Sequence, residues 1–184
     1  MSRLNFTSCK QIYIFSLLAL ITFFLNFQSS AQQTTITDYV LFGGTANVLP
    51  GQSGCSSPGY AVQIGSSSTI QGGAIGSYKL VKSTGTAILN TSIYSGGTIQ
   101  LANSNKVTGK ITAANSPAVS GNILSIGSNA NLSGNIDVNG NIYIGGGTVS
   151  GKVTLPPGKN YSGPNPGAGK VFGTPTLPIL PEMP

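Results

Sequence analysis

The chain has 184 residues, with nine Lys or Arg, three Asp or Glu and no His, for a formal charge of +6. Without His, Ser-His-Asp and Cys-His catalysis are excluded and the commonest metal ligand is missing. Glycoside hydrolysis needs two carboxyl groups set across one bond, and Asp38, Asp137 and Glu182 fall one in each of three regions.

Residues 1–31 read as a secretory signal peptide. Arg3 and Lys10 form a basic front, residues 12–27 an apolar run, and Ser29-Ser30-Ala31 places small residues at −3 and −1 of a cleavage site before Gln32. The run is shorter than the roughly 20 residues of a spanning helix. Cleavage would remove Cys9 and leave Cys55 as a single thiol, so no intramolecular disulfide is expected. It would also leave seven Lys against three acids, a balance of +4. Those lysines (Lys79, Lys82, Lys106, Lys110, Lys152, Lys159 and Lys170) are scattered, with no dense basic patch, which argues against nucleic acid.

Residues 32–60 form an N-terminal capping segment. Thr34-Thr35-Ile36-Thr37 and Tyr39-Val40-Leu41-Phe42 read as strands. Their bulk is expected to cover the open end of the β-structure that begins near residue 61, because an exposed sheet end is an aggregation hazard.

Residues 61–158 repeat one short motif five times. The first aliphatic anchors are Ile64, Val81, Leu101, Ile126 and Ile144. The second are Ile70, Ile88, Val107, Leu132 and Val149, and the third Ile75, Ile93, Ile111, Ile136 and Val153. Third anchors step by 18, 18, 25 and 17 residues, and second anchors by 18, 19, 25 and 17. A fixed period near 18 with three apolar clusters is the signature of an all-β parallel β-helix, a β-solenoid of about five coils. A single copy cannot bury its own Ile and Val, whereas stacked copies bury them against one another. Corners fall at Gly65-Ser66-Ser67, Asn103-Ser104-Asn105, Gly127-Ser128-Asn129 and Gly145-Gly146-Gly147, since Gly and Asn reach positive φ readily. Strands alternate, as in Val62-Gln63-Ile64 and Ile142-Tyr143-Ile144. The long step holds Thr112-Ala113-Ala114-Asn115-Ser116-Pro117, and Pro117 predicts a loop there. A right-handed coil is favoured over a left-handed hexapeptide helix, because the anchor intervals do not keep a strict six.

Residues 159–184 form a Pro/Gly-rich linker or tail. The run Thr174-Pro175-Thr176-Leu177-Pro178-Ile179-Leu180-Pro181-Glu182-Met183-Pro184 favours an extended, polyproline-like spacer, as at the front of a longer protein.

Residues 135–153, from Asn135-Ile136-Asp137-Val138-Asn139-Gly140 onward, resemble bactofilin-type polymer-forming β-helix repeats. More specifically, Asp38-Tyr39-Val40-Leu41-Phe42-Gly43-Gly44, Gly76-Ser77-Tyr78-Lys79-Leu80-Val81-Lys82-Ser83, Ser95-Gly96-Gly97-Thr98-Ile99-Gln100-Leu101-Ala102-Asn103-Ser104 and the Thr-Pro-Thr-Leu-Pro tail resemble the N-terminal β-solenoid region of large secreted surface proteins of Bacteroidota. That resemblance implies type IX export and an adhesin-like role outside the cell.

The expected function is therefore a secreted or cell-surface, non-catalytic structural module, adhesive or matrix-like. No cofactor, metal or catalytic residue is expected. The expected partners are cell-surface polysaccharide or further copies of the chain, with the membrane met only during export. The alternative is a carbohydrate-binding module stacking sugars on outward Tyr78, Tyr94 and Tyr143. A pectin-lyase-like enzyme using Asp137, and an ice-binding face built from Thr69, Thr98, Thr108, Thr112, Thr148 and Thr154, are remoter readings. Asn90, Asn131 and Asn160 sit in glycosylation sequons.

Overall fold

The computed structural model describes residues 36–43, 62–116 and 118–181. The signal peptide, Cys9, Cys55, Pro117, Glu182 and most of the capping segment lie outside the described residues.

A single 3-10 turn, Ile36–Asp38, leads into strand β1, Tyr39–Gly43. The first full coil is β2 (Val62–Ile64), β3 (Ser68–Gln71) and β4 (Ala74–Ser77), and the second is β5 (Leu80–Ser83), β6 (Ala87–Asn90) and β7 (Ile93–Ser95). The third is β8 (Thr98–Leu101), β9 (Lys106–Val107) and β10 (Ile111–Ala113). The fourth is β11 (Asn122–Ile126), β12 (Ala130–Leu132) and β13 (Ile136–Val138). The fifth is β14 (Asn141–Ile144), β15 (Gly147–Val149) and β16 (Val153–Leu155), and a last partial turn holds β17 (Tyr161–Ser162) and β18 (Lys170–Phe172).

Every strand pairs in parallel with its counterpart one coil away. This makes three sheets, of seven (β1-β4-β7-β10-β13-β16-β18), six (β2-β5-β8-β11-β14-β17) and five strands (β3-β6-β9-β12-β15). We call them the first, second and third sheets. The molecule is a β-solenoid of about six turns rather than five, because β1 adds a strand before the repeats and β17 and β18 add strands after residue 158. The ladder thus continues into the stretch expected to be linker.

Side chains fill the core in rows, one residue per coil. The third anchors form one register row, in which Ile75, Ile93, Ile111, Ile136 and Val153 follow one another. Each of these N–H groups donates to a carbonyl of the next coil, at 2.8 to 3.0 Å. Full burial of such an aliphatic side chain contributes about 1.5–3 kcal/mol.

The other rows correct two anchors. Ile70 is followed by Leu89, Val107, Leu132 and Val149, so the second coil's inward residue is Leu89, not Ile88. Leu89 is 0% exposed and Ile88 is 41% exposed. In the second sheet, Val81 aligns with Val62 and Ile99, while the residue level with Ile64 is Ser83. Ser83 holds that inward place because its Oγ accepts the N–H of Ala102 at 2.9 Å.

Two kinds of corner set the chain's path. Between second and third sheets the backbone passes through positive φ at Ser67, Ser104, Asn129 and Gly146, within the corners the Ser/Asn/Gly clusters predicted. Between third and first sheets a glycine recurs at Gly109, Gly134 and Gly151. A Cβ on Gly134 would lie 2.1 Å from the Gly109 carbonyl oxygen, and one on Gly151 2.1 Å from that of Gly134. Here one coil's backbone sits on the next with no room for a side chain. The extra residues of the 25-residue step include 114–116 and 118–121, which lie outside any strand on the corner between first and second sheets, where Asn115 takes positive φ and its Oδ1 accepts the Val119 N–H.

The tail does not leave the solenoid. Gly173 still donates its N–H to Leu155, as Asn139 does to Ala113, Ala114 to Ser95 and Gly96 to Ser77. The chain then turns back along this same corner. Leu180 lies against Gly96, and the Tyr78 hydroxyl donates to the Pro181 carbonyl.

The register predicts a contrast between adjacent residues. Leu89→Ala is expected to lower unfolding free energy by about 2–5 kcal/mol, and Ile88→Ala by no more than about 0.5 kcal/mol. Urea denaturation of the full chain measures both, and equal losses would refute the register.

Candidate functional site

Asp38 and Asp137, the acidic residues among the described ones, are not brought together. Asp137 stands on the outer side of the first sheet in the row Gly76, Tyr94, Thr112, Asp137, Thr154. It is only 7% exposed, and its Oδ2 meets the Lys110 Nζ at 2.9 Å. Asp38 precedes β1, four strands away, or about 19 Å at the usual strand spacing. That exceeds the separation of paired catalytic carboxyl groups. Among the described residues no cluster of three His, Cys, Asp or Glu could hold a metal ion.

The outer face of the second sheet is different. One residue per coil projects from it in an unbroken row: Gln63, Lys82, Gln100, Ser125, Tyr143 and Ser162. Successive members are one strand spacing apart, about 4.8 Å. Every member carries a hydrogen-bonding group, and the Tyr143 ring is 44% exposed. Lys82, Gln100 and Ser125 also line an open depression of about 590 Å³, together with Ser83, Thr84, Leu101 and Ala102. The depression lies where Ser83 interrupts the aliphatic row. This face can offer amide and hydroxyl groups to an extended polar ligand, with the Tyr143 ring among them.

The other tyrosines proposed to stack on sugars sit elsewhere. Tyr78 and Tyr94 belong to a cluster on the first sheet with Tyr39 and Phe42. The Tyr39 and Phe42 rings meet edge to face at 4.9 Å, Phe42 and Tyr78 at 5.2 Å, and Tyr39 and Tyr94 at 6.3 Å. Gly76 is the floor, since a Cβ there would fall 2.3 Å from Tyr39 Cε1 and 2.7 Å from Phe42 Cδ2. The cluster clamps β1 onto the first coil. Burial, followed by the neighbouring Tyr94, Asp38 and Tyr78 charges, pushes the Tyr39 phenol up to about 12. Its hydroxyl is buried with no hydrogen-bond partner among the described residues.

The threonines make no single array. Thr69 and Thr148 face out from the third sheet in a row with Ile88, Lys106 and Asn131. Thr112 and Thr154 are buried on the first sheet, Thr98 begins a strand of the second, and Thr108 lies at a corner. Asn90, Asn131 and Asn160 are all exposed.

Comparison with protein-family models, with curated proteins and with solved structures finds no match.

Tyr39 sets a pH dependence. An unfolded chain loses this proton near pH 10 and the folded chain near 12. Between these values the unfolded state binds fewer protons, so stability is intact below pH 10 and falls as pH rises toward 12. Tyr39→Phe is expected to leave neutral-pH stability unchanged or slightly raised, because it removes an unpaired buried hydroxyl. It should also flatten the alkaline loss. Urea midpoints of both proteins at pH 8 and pH 11.5 decide this, and parallel losses would refute it.

Proposed function

We propose that this chain is a secreted, non-catalytic structural module of the cell surface, adhesive in role, that holds polar polymers against the outer face of its second sheet. The observation that carries this reading is the row Gln63, Lys82, Gln100, Ser125, Tyr143 and Ser162, which offers a hydrogen-bonding group on each coil. A solenoid suits such a task because its faces are straight and repetitive. The basic front, apolar run and small-residue site of residues 1–31 support export. The resemblance to N-terminal solenoids of Bacteroidota surface proteins supports the same placement. Cell-surface polysaccharide fits the row's chemistry, with further copies of the chain the other candidate partner.

The depression beside Gln100 favours a second reading, a carbohydrate-binding module with one defined sugar subsite. The two differ in how binding is distributed. Adhesion spread over the row loses a part with each of Gln100→Ala, Ser125→Ala and Tyr143→Ala, roughly 0.5–1.5 kcal/mol apiece. A single subsite loses nearly all of its binding with Gln100→Ala alone.

Retention of full-chain protein on immobilised cell-surface polysaccharide measures both patterns, and retention indifferent to all three substitutions would sink both. Immunoblotting of cell, membrane and medium fractions tests placement. A product in the medium or on the surface, trimmed relative to its intracellular precursor, is expected. Material confined to the cytoplasm would overturn the export reading.

A further inference from the structure

The tail carries prolines three residues apart, at Pro175, Pro178 and Pro181. Three residues make one turn of polyproline II helix, so these prolines share one side. That side faces the solenoid. Pro175 and Pro181 are buried and Pro178 is half-buried, while Thr174, Thr176, Leu177 and Ile179 are exposed.

The length also fits. From Gly173 to Pro181 a polyproline II segment rises about 25 Å at 3.1 Å per residue. The strands from β18 back to β4 are five spacings apart, about 24 Å. The segment therefore lies nearly straight along the corner and reaches the first coil with little slack.

At its far end the segment meets three features. Tyr78 donates its hydroxyl to the Pro181 carbonyl. Leu180 lies over Gly96, where a Cβ would stand 3.3 Å from Leu180 Cδ1 and 2.5 Å from the Tyr78 carbonyl oxygen. Behind Tyr78 is the edge-to-face stack with Phe42 and Tyr39. Pro-rich segments dock in aromatic-lined grooves, and here Tyr78 supplies an aromatic residue whose hydroxyl meets the Pro181 carbonyl.

The geometry points to a docking site for a polyproline II segment on the corner formed by Tyr78, Gly96 and Phe42. It is filled here by the chain's own residues 175–181 and takes the same segment from a second copy. The Tyr78 hydroxyl bond and the Leu180 contact are among the interactions that hold the far end. The contacts are the same whichever copy supplies the segment, which makes its exchange between copies a low-cost route to association.

The test uses the full chain and a fluorescent peptide of residues 173–181, read by anisotropy. Wild-type protein is expected to bind the peptide weakly, because its own segment occupies the site. A variant with Pro175→Ala, Pro178→Ala and Pro181→Ala frees the site and is expected to bind about tenfold tighter or better, the gain being the inverse of the unoccupied fraction. Adding Tyr78→Phe to that variant should reverse most of the gain, and a peptide with its three prolines changed to alanine should not bind. No gain in the triple variant, or equal binding of the alanine peptide, overturns the proposal. Should the triple variant lose its β-sheet circular dichroism, wild-type chains decide instead. A dimer that forms at high protein concentration and dissolves with excess peptide supports the site, and a monomer at every concentration refutes it.

Discussion

Each coil has to lay its backbone one strand spacing above the last, on all three sides at once. The rest of the structure depends on that constraint. It makes glycine necessary at 134 and 151, where the carbonyl of the preceding coil leaves no space for a Cβ. It places Ile75, Ile93, Ile111, Ile136 and Val153 in one column whose side chains bury one another. It also forces the extra residues of the long coil out to a corner, since a sheet cannot absorb them without breaking its ladder.

The same constraint arranges the surfaces. A residue between two buried anchors faces out, and its counterparts on other coils line up with it. On the second sheet the outcome is a polar row with a depression beside it. On the first sheet it is a row covered near its start by Tyr39 and Phe42 and tied farther on by the Lys110–Asp137 ion pair. One repeat thus yields exposed outer rows on the second and third sheets and a largely covered one on the first. At the last turn the register positions level with Ile142, Val153 and Leu155 are taken by Tyr161, which is half-buried, and by Lys170 and Phe172, which are exposed. Lys170 lies over both rings, at 5.5 and 5.3 Å from their centroids, and so ends the aliphatic column with a charge.

Much of this was legible from residue spacing, because a column with one member per coil appears in the sequence as a constant step. The third anchors were read correctly for that reason. The reading failed where two apolar residues adjoin or where a polar one goes inward. In Ala87-Ile88-Leu89 only pairing with Val107 tells which aliphatic residue is buried. At Ser83 hydroxyl bonding replaces apolar bulk, which hydropathy does not register. The tail's extended character was visible, but its return to Tyr78 was not, because nothing local links residues 78 and 181. The period of three among its prolines was the available signal. The polar row was hidden for a similar reason. Gln63, Lys82, Gln100, Ser125 and Tyr143 have little in common as residue types and become a set only through register.

The returning tail also changes how the molecule would carry load. Strand β1 joins the solenoid at the first coil, and Pro181 is fastened there too. Tension applied between these two points does not stretch the stack of coils. It acts first on the contacts that seat residues 175–181, the Tyr78 hydroxyl bond and the Leu180 contact among them, and their loss releases roughly 25 Å of chain. Only then does force reach the ladder at β18. The sheets are shielded by a short, reversible extension in series with them, the arrangement of a shock absorber.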